Sequence, residues 1–196
     1  MIFKFNKDNF EPTYVLKNIN KKFGDNIVLD NICLSMPKKG ILVISGPSGE
    51  GKTTLLRVMA DLIKPDDGDR IGFDNAKIAY LFQEDRLLPW FNLITNITCV
   101  LTEENKEEEA KYWLNKVGLS NSLMKYPREL SGGMKRRAAL ARLFAYGGDI
   151  YILDEPFKGL DMELKERIIG ITKEVCKEKL LVIVTHDKHE EEMLLN

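Results

Sequence analysis

A glycine-rich segment at residues 46–53 carries the clearest chemistry in the sequence. It reads Gly-Pro-Ser-Gly-Glu-Gly-Lys-Thr, matches the pattern G-x-x-x-x-G-K-[ST], follows an apolar run at 41–44 and opens a helical pattern at 52–62. Glycines let successive N–H groups face a phosphate, and a helix N-terminus adds positive charge. The lysine reaches the β/γ oxygens and the threonine offers a hydroxyl to Mg²⁺. The segment predicts a nucleotide site whose contacts are Gly46, Pro47, Ser48, Gly49, Gly51, Lys52, Thr53 and Thr54.

Two adjacent carboxylates follow a second apolar run. Residues 150–153 are Ile-Tyr-Ile-Leu, and Asp154 and Glu155 come next. P-loop nucleotidases place a magnesium ligand and an acid that acts on the attacking water at such a strand end. Asp154 is therefore predicted to hold Mg²⁺, and Glu155 to orient or deprotonate the water. Standing alone, the pair would more often belong to a solvated loop, but the glycine-rich segment favours the functional interpretation.

The segment Leu-Ser-Gly-Gly-Met at 130–134 precedes another helical pattern. Ser131 can cap that helix, and the amides of Gly132 and Gly133 present a second anion site. In isolation this would be an ordinary helix start. Because it stands between the glycine-rich segment and the Asp-Glu strand, the sequence resembles the ATP-binding cassette (ABC) ATPases, and the resemblance covers nearly the whole chain.

The resemblance implies roles for further residues. Gln83 would contact Mg²⁺ and the attacking water and would sense the partner copy, and His186 would contact the γ-phosphate. Asp161 would lie in the loop that communicates between two ATP sites, and the ring of Phe23 would stack on adenine. Other interpretations stay open: a polar loop residue for Gln83, a structural hydrogen bonder for His186, a helix cap for Asp161 and a core position for Phe23. The implied catalytic set is Glu155, His186 and Gln83, and the implied magnesium set is Thr53, Gln83 and Asp154.

The resemblance also implies an assembly. Two copies would pack head to tail around two ATP molecules, each signature closing on the γ-phosphate held by the other copy. The sequence departs from the family pattern at Met134, which replaces the signature glutamine, and at Gly40-Ile41, which lacks the acid commonly found before the P-loop strand. The chain stops ten residues after His186, so no appended regulatory domain is expected.

Regular elements must position these residues. Strands are predicted at 13–19, 27–36, 40–44, 71–73, 77–81, 150–153 and 180–184, and helices at 52–62, 103–117, 133–146 and 162–176. Several of the short strands are apolar throughout, which indicates a central parallel sheet covered on both faces, whereas the two earliest strands are typical of antiparallel pairing. Gly118 and Gly147 stand where helix ends favour a residue at positive φ.

These elements predict one α/β domain, a P-loop NTPase of the ABC ATPase type. We expect an α/β core at 1–83 and 131–196, with N-terminal antiparallel strands and a mainly parallel central sheet. The stretch 84–130 shows helical pattern and loop without a convincing strand, and is predicted to be an inserted helical subdomain. The length of 196 residues is that of a single domain.

Composition excludes several classes of protein. With 44% hydrophobic and 30% charged residues the chain is neither disordered nor of low complexity, and a net charge of -1 provides no field for nucleic acid. The apolar runs are far shorter than the roughly 20 residues that span a bilayer, and no secretory signal precedes them. The three cysteines, Cys33, Cys99 and Cys176, are scattered, which favours buried free thiols over a disulfide framework or a zinc site.

The predicted function is that of the ATPase subunit of a membrane transporter. The stretch after Gln83 looks like the corresponding stretch of importers of the nitrate, sulfonate and taurine group, and Leu87, Leu88, Trp90 and Phe91 would form an apolar patch for a permease helix. The permease would hold the chain on the cytoplasmic face of the membrane through the 83–91 region. The alternatives are a soluble cassette ATPase of a cytoplasmic assembly, such as an iron–sulfur scaffold, and a P-loop kinase. Length excludes an ATPase with coiled-coil arms.

Overall fold

The structure is a computed structural model, and it describes residues 1–6, 10–102 and 104–196. The chain forms two compact units. The first comprises Met1–Tyr80, Gly148–Glu155 and Cys176–Asn196, and the second comprises Leu81–Gly147 and Pro156–Val175. The predicted limits of the inserted subdomain, 84–130, stay a prediction.

A mainly parallel sheet forms the centre of the first unit. Its strands are β1 (Ile2–Phe5), β4 (Gly40–Ser45), β6 (Ile78–Leu81), β7 (Ile150–Asp154) and β8 (Leu180–Val184). Over the described residues the strand order is β1-β4-β8-β7-β6, with β8 parallel to both β4 and β7 and β1 antiparallel to β4. The parallel pairing of β4, β7 and β8 confirms the prediction made from their apolar sequences.

Burial explains why these short segments form strands. Every residue of β7 and β8 is buried, as are the four central residues of β4. A strand that is covered on both faces gains from apolar β-branched and aliphatic side chains at every position, not at alternate ones. The helix α1 (Lys52–Met59) contributes Leu55, Leu56, Val58 and Met59 to the same core.

The second sheet is antiparallel. It consists of β2 (Tyr14–Phe23), β3 (Asn26–Met36) and β5 (Asp67–Ile71), in the order β3-β2-β5 over the described residues. The antiparallel pairing of β2 with β3 confirms the prediction for the two earliest strands. Leu16, Ile19 and Leu29 are fully buried and join the core cluster of the first unit.

The strand predicted at 13–19 ends too early, since β2 continues to Phe23, and two other predicted elements run too far. The strand predicted at 71–73 is in fact β5, which ends at Ile71, because Gly72 turns the chain at φ 87° and Phe73 is buried against the ring of Tyr14. The helix predicted to reach residue 62 ends at Met59, and Asp61 adopts a left-handed φ of 58°. In both places, apolar residues beyond the end of the element continue its hydrophobic pattern in the sequence.

The second unit is helical over the described residues. Its helices are α2 (Leu93–Thr98), α3 (Lys106–Lys116), α4 (Gly132–Tyr146) and α5 (Met162–Val175), and short 3-10 turns lie at Ser120–Ser122 and Pro127–Glu129. The rings of Trp113 on α3 and Phe144 on α4 have centroids 5.6 Å apart. Gly118 and Gly147 follow α3 and α4 with φ of 74° and 66°, as predicted. Glu103, the predicted start of α3, lies outside the described residues.

Three further elements were not predicted individually. They are the strand β1, the helix α2 and a last helix, α6 (Lys188–Leu195), and each is too short for a clear period. The prediction of buried thiols is wrong for Cys33 and Cys99, which are exposed, and right for Cys176.

Among the described residues, no helix has the length and apolar character needed to cross a bilayer.

Candidate active site

Three neighbouring strands deliver the predicted catalytic segments. The glycine-rich segment follows β4, Asp154 ends β7 and Glu155 comes next, and His186 lies two residues beyond β8. Parallel pairing aligns Ile44 and Asp154 with Val184, so the carboxyl ends of the three strands meet at one edge of the sheet. This edge is where open α/β sheets bind ligands.

The loop between β4 and α1 has the backbone of a phosphate cradle. Gly46, Gly49 and Gly51 adopt φ of 138°, 86° and 84°. A Cβ on Gly51 would lie 2.6 Å from the carbonyl oxygen of Val28, so only glycine fits there. The ammonium of Lys52, itself 6% exposed, donates to the carbonyl oxygens of Gly46 and Pro47 at 2.8 and 2.5 Å. The lysine is thus held inside the loop whose amides would face the phosphates.

The first turn of α1 meets the end of β7. Thr53 Oγ1 donates to Asp154 Oδ2 at 2.7 Å, and Asp154 is 2% exposed. A hydroxyl and a carboxylate side by side suit Mg²⁺, which prefers oxygen ligands and usually takes only one or two from protein, the rest coming from water and phosphate. The described residues contain no cluster of three or more His, Cys, Asp or Glu that could hold a metal unaided. The pair therefore fits a magnesium ion that arrives with the nucleotide.

Glu155 occupies a strained position beside His186. Its backbone has a φ of 48°, which costs energy for a residue other than glycine, and its N–H donates to the carbonyl of Val184 at 3.0 Å. His186 Nε2 lies 3.2 Å from Glu155 Oε1. The bond to β8 fixes the left-handed turn, and this turn brings the carboxylate to the imidazole. Together they place an acid–base pair at the edge where the P-loop begins.

The start of α6 holds the histidine segment. Thr185 is buried and its hydroxyl donates to the carboxylate of Glu190, which is also buried. Asp187 caps α6 by accepting from the backbone N–H of His189 at 2.9 Å. His186 therefore projects from a backbone tied on both sides while its own side chain stays exposed.

Other predicted nucleotide contacts also lie in the first unit. Pro47, Ser48 and Gly49 are exposed and Thr54 is half-buried. Phe23, at the end of β2, is 53% exposed, which argues against the core interpretation, and Lys21 Nζ lies 5.6 Å from the centroid of its ring. Its role with adenine stays a prediction.

The remaining predicted site residues belong to the second unit. Ser131 caps α4 by accepting from the backbone N–H of Met134 at 3.3 Å, and Asp161 caps α5 by accepting from the N–H of Leu164 at 3.0 Å, both as predicted. Among the described residues, nothing lies within 4 Å of where a Cβ on Gly132 would be. Gln83 follows β6 and its side chain is exposed.

The predicted permease patch differs in membership from the sequence-based expectation. Trp90 is 80% exposed and Phe91 is also exposed, but Leu87 and Leu88 are half-buried. The N–H and carbonyl of Leu88 both bond to the side chain of Asn96. Backbone bonds from Leu93 and Ile94 to the carbonyls of Lys125 and Leu123 connect this stretch to the segment that carries the exposed Met124 and Tyr126. We refer to the four exposed side chains of Trp90, Phe91, Met124 and Tyr126 as the apolar patch.

A buried charge on α4 was not predicted from the sequence. Arg136, on the first turns of α4, is 4% exposed and donates to the carbonyls of Phe82 and Pro156. The sequence does indicate the burial of Arg136, because the apolar residues Leu140, Leu143 and Phe144 follow it at i+4, i+7 and i+8, on the same helix face, and all three are buried. A charged residue on that face indicates a buried polar cluster.

Comparisons with known proteins agree with this geometry. A family model described as "ABC transporter" matches residues 29–158. The "Aliphatic sulfonates import ATP-binding protein SsuB 1" of Paracoccus denitrificans (strain Pd 1222) is 36% identical over 187 residues, covering 93% of this chain and 76% of the relative. The "Glutamine transport ATP-binding protein GlnQ" of Geobacillus stearothermophilus is 35% identical over 190 residues, covering 86% of this chain and 78% of the relative.

Solved structures show the same fold. A dimeric ATP-binding cassette in a post-hydrolysis state, bound to ADP and Pi, superimposes with a TM-score of 0.81 at 28% identity, covering 92% of this chain and 90% of that one. A dimeric structure of a bacterial ABC transporter cassette superimposes with a TM-score of 0.82 at 28% identity and the same coverage. The present chain is similar to both over nearly its whole length.

Proposed function

Because this chain belongs to the ABC transporter family, as an ATP-binding and ATP-hydrolysing subunit of an importer, we propose that two copies close head to tail around ATP and thereby drive a separate permease. The observation that supports this most directly is the convergence of the P-loop, Asp154-Glu155 and His186 at the ends of β4, β7 and β8. The names of both relatives favour transport over the soluble-assembly alternative, and the name of the SsuB relative specifies import.

Hydrolysis uses the chain's own groups for positioning and proton transfer. Lys52 and the loop amides would bind the β- and γ-phosphates, and Thr53 and Asp154 would hold Mg²⁺, whose charge would neutralise the charge that develops on the phosphate oxygens. Glu155 orients the attacking water and accepts its proton. His186, whose Nε2 lies 3.2 Å from Glu155 Oε1, would contact the γ-phosphate and keep the carboxylate in place.

The second unit supplies the surface for the partner copy. Ser131, Gly132 and the N-terminus of α4 form an exposed, electropositive end, because the first amides of a helix have no internal partners. This end would receive the γ-phosphate bound by the other copy. Asp161, exposed at the start of α5, lies in the loop that would communicate between the two ATP sites.

The permease would contact the 83–91 region. The apolar patch of Trp90, Phe91, Met124 and Tyr126 exposes large side chains at neighbouring positions, as partner sites commonly do. An amphipathic cytoplasmic helix of a membrane subunit can bury these rings against its own apolar face. The chain would then lie on the cytoplasmic side of the membrane by way of its permease.

Purification of tagged Glu155→Gln protein from detergent-solubilised cells with Mg-ATP tests this proposal. We expect a membrane protein with several spans to co-purify in near-equal amount. The double variant Glu155→Gln with Trp90→Asp is the matched control: it should retain ATP binding and self-association but lose the membrane protein. Recovery of soluble proteins alone would overturn the transport proposal, and equal recovery with Trp90→Asp would remove the patch from the interface.

A further inference from the structure

The arginines of α4 bind backbone carbonyls in the second unit. Arg136 Nε donates to Pro156 O at 2.9 Å, and its Nη1 donates to Phe82 O at 2.7 Å. The same nitrogen also lies 3.3 Å from Gln83 O and from Asp85 Oδ1. One buried guanidinium thus joins three segments of the chain.

These three segments are the ones that carry the predicted chemistry. Arg136 follows the Ser131-Gly132-Gly133 signature by one turn of α4, Pro156 follows Glu155 directly, and Phe82 precedes Gln83. A charge that is 96% removed from solvent is tolerated only when its donors are paired, and the planar guanidinium fork fixes the direction of each acceptor. The bonds therefore set the backbone positions tightly.

Gln83 depends on this arrangement more than a packed residue would. Its side chain is exposed, so packing does not fix its direction, and its position follows from where its main chain is held. Arg142, two turns further along α4, donates to the carbonyls of Asp85 and Arg86 at 3.1 and 2.9 Å. The backbone from 82 to 86 is thus bound at two places along one helix.

The polar network continues toward the apolar patch. Arg142 Nη1 lies 3.5 Å from the side-chain oxygen of Asn96, which is fully buried. Asn96 accepts from the N–H of Leu88 at 2.7 Å and donates to the carbonyl of Phe91 at 2.9 Å. Bonded contacts therefore run without a break from the signature helix through 82–86 to Phe91.

We propose that Arg136 is a positioning residue for ATP hydrolysis, which holds the main chain of Gln83 to the start of α4 so that the signature, Gln83 and the 88–91 segment move as one body. The inference rests on the proposed function for the roles of Gln83 and the signature. The physical linkage is independent of those roles, since it consists of hydrogen bonds to the backbone from a buried cation.

The neighbouring Arg137 provides a matched control. It also donates to two carbonyls, those of Val117 and Gly118, each at 2.9 Å, but these lie at the end of α3. Its side chain is half-buried, and this burial lowers the pKa of its guanidinium. Arg136→Met and Arg137→Met remove the same group from adjacent positions of one helix, and only the first releases 82–83.

The experiment compares both variants by hydrogen exchange without nucleotide and by steady-state ATP hydrolysis. In Arg136→Met we expect amide exchange at 82–91 to accelerate about tenfold or more, exchange at 117–119 to stay unchanged, and kcat to fall about tenfold with KM for ATP within about twofold. Arg137→Met should accelerate exchange at 117–119 and leave 82–91 unchanged. Arg136→Lys, which keeps the charge but not the fork, should restore part of kcat.

Three results would overturn the proposal: unchanged exchange at 82–91 in folded Arg136→Met, equal acceleration at 82–91 in Arg137→Met, or a rise in KM as large as the fall in kcat. If Arg136→Met does not fold, Arg136→Lys and Arg137→Lys carry the same comparison of exchange. A wild-type chain without ATPase activity would overturn the proposed function, while the exchange data would still decide the linkage.

Discussion

Thr53 Oγ1 and Asp154 Oδ2 lie 2.7 Å apart although 101 positions of sequence separate their residues. The first residue belongs to the opening turn of α1 and the second ends β7. Their contact brings a neutral and an anionic oxygen together at the P-loop. It is the structural basis for expecting the metal and the nucleotide to bind as one unit.

Replacement of Asp154 tests the metal ligand. Asp154→Asn keeps the shape but removes the charge, so we expect the affinity of Mn²⁺ for the ATP complex to fall about tenfold or more, with a smaller effect on metal-free ATP. Electron paramagnetic resonance of Mn²⁺ measures the free and bound ion. Asp149→Asn, just before the other end of β7, is the control and should leave Mn²⁺ affinity unchanged. Equal affinities in Asp154→Asn and wild type would contradict the assignment.

Glu155 should be essential for turnover and dispensable for binding. Glu155→Gln removes the proton acceptor while its amide still reaches His186, so kcat is expected to fall about 10²–10³-fold. Single-turnover hydrolysis and equilibrium ATP binding separate the two effects. The ATP-bound variant should also be dimeric in analytical ultracentrifugation at concentrations where wild type is monomeric. Near-normal hydrolysis would exclude Glu155 from the catalytic role.

The loop before α1 should not tolerate alanine at Gly51. Gly51→Ala forces a φ of 84° on a residue with a Cβ and places that atom 2.6 Å from Val28 O. We expect a loss of about 1–2 kcal/mol in unfolding free energy from the φ alone, and weaker ATP binding because the cradle must shift. Gly170→Ala is the control, since α5 is regular there and a helical glycine costs about 0.5–1 kcal/mol. A stabilised Gly51→Ala in urea denaturation would refute this reading.

Cysteine reactivity should follow burial. Cys33 and Cys99 are exposed, whereas burial raises the pKa of the Cys176 thiol to about 12. At pH near 8, iodoacetamide should modify the first two in the native protein while Cys176 reacts only in denaturant. Peptide mass spectrometry after timed quenching measures each site. Modification of native Cys176 at the rate of Cys33 would show that the end of α5 opens.

Acid should weaken the fold through Asp149. The backbone N–H of Lys77 donates to Asp149 Oδ2 at 3.0 Å, and this bond, with Lys179, lowers the pKa of the carboxyl. Because the pKa of the carboxyl is lower in the folded than in the unfolded state, the ionised form stabilises the fold at pH values above the unfolded-state pKa of about 3.9. This contribution is lost as the pH falls through the folded-state pKa. In urea denaturation at a series of pH values, Asp149→Asn should lose less stability than wild type below about pH 4. Asp25→Asn, in an exposed turn, should follow wild type.

Local chemistry made much of the site predictable. The P-loop, the Asp-Glu pair after β7 and the caps at Ser131 and Asp161 are each encoded within a few residues, because strands, helix starts and glycine turns have short-range sequence signals. The same reasoning identified the family, which the comparisons confirm. It failed at β5, where the buried Phe73 beyond the strand extended the apolar pattern.

The amino-acid sequence by itself determined which chemical groups are present, and in which local backbone settings they stand. Tertiary structure alone decided that Thr53 meets Asp154, that Glu155 meets His186 and that Arg136 binds the backbone at Phe82. The reason is physical: these distances depend on the register of parallel strands and on the burial of one helix face. Both are set by packing among residues far apart in the chain, which no short pattern encodes.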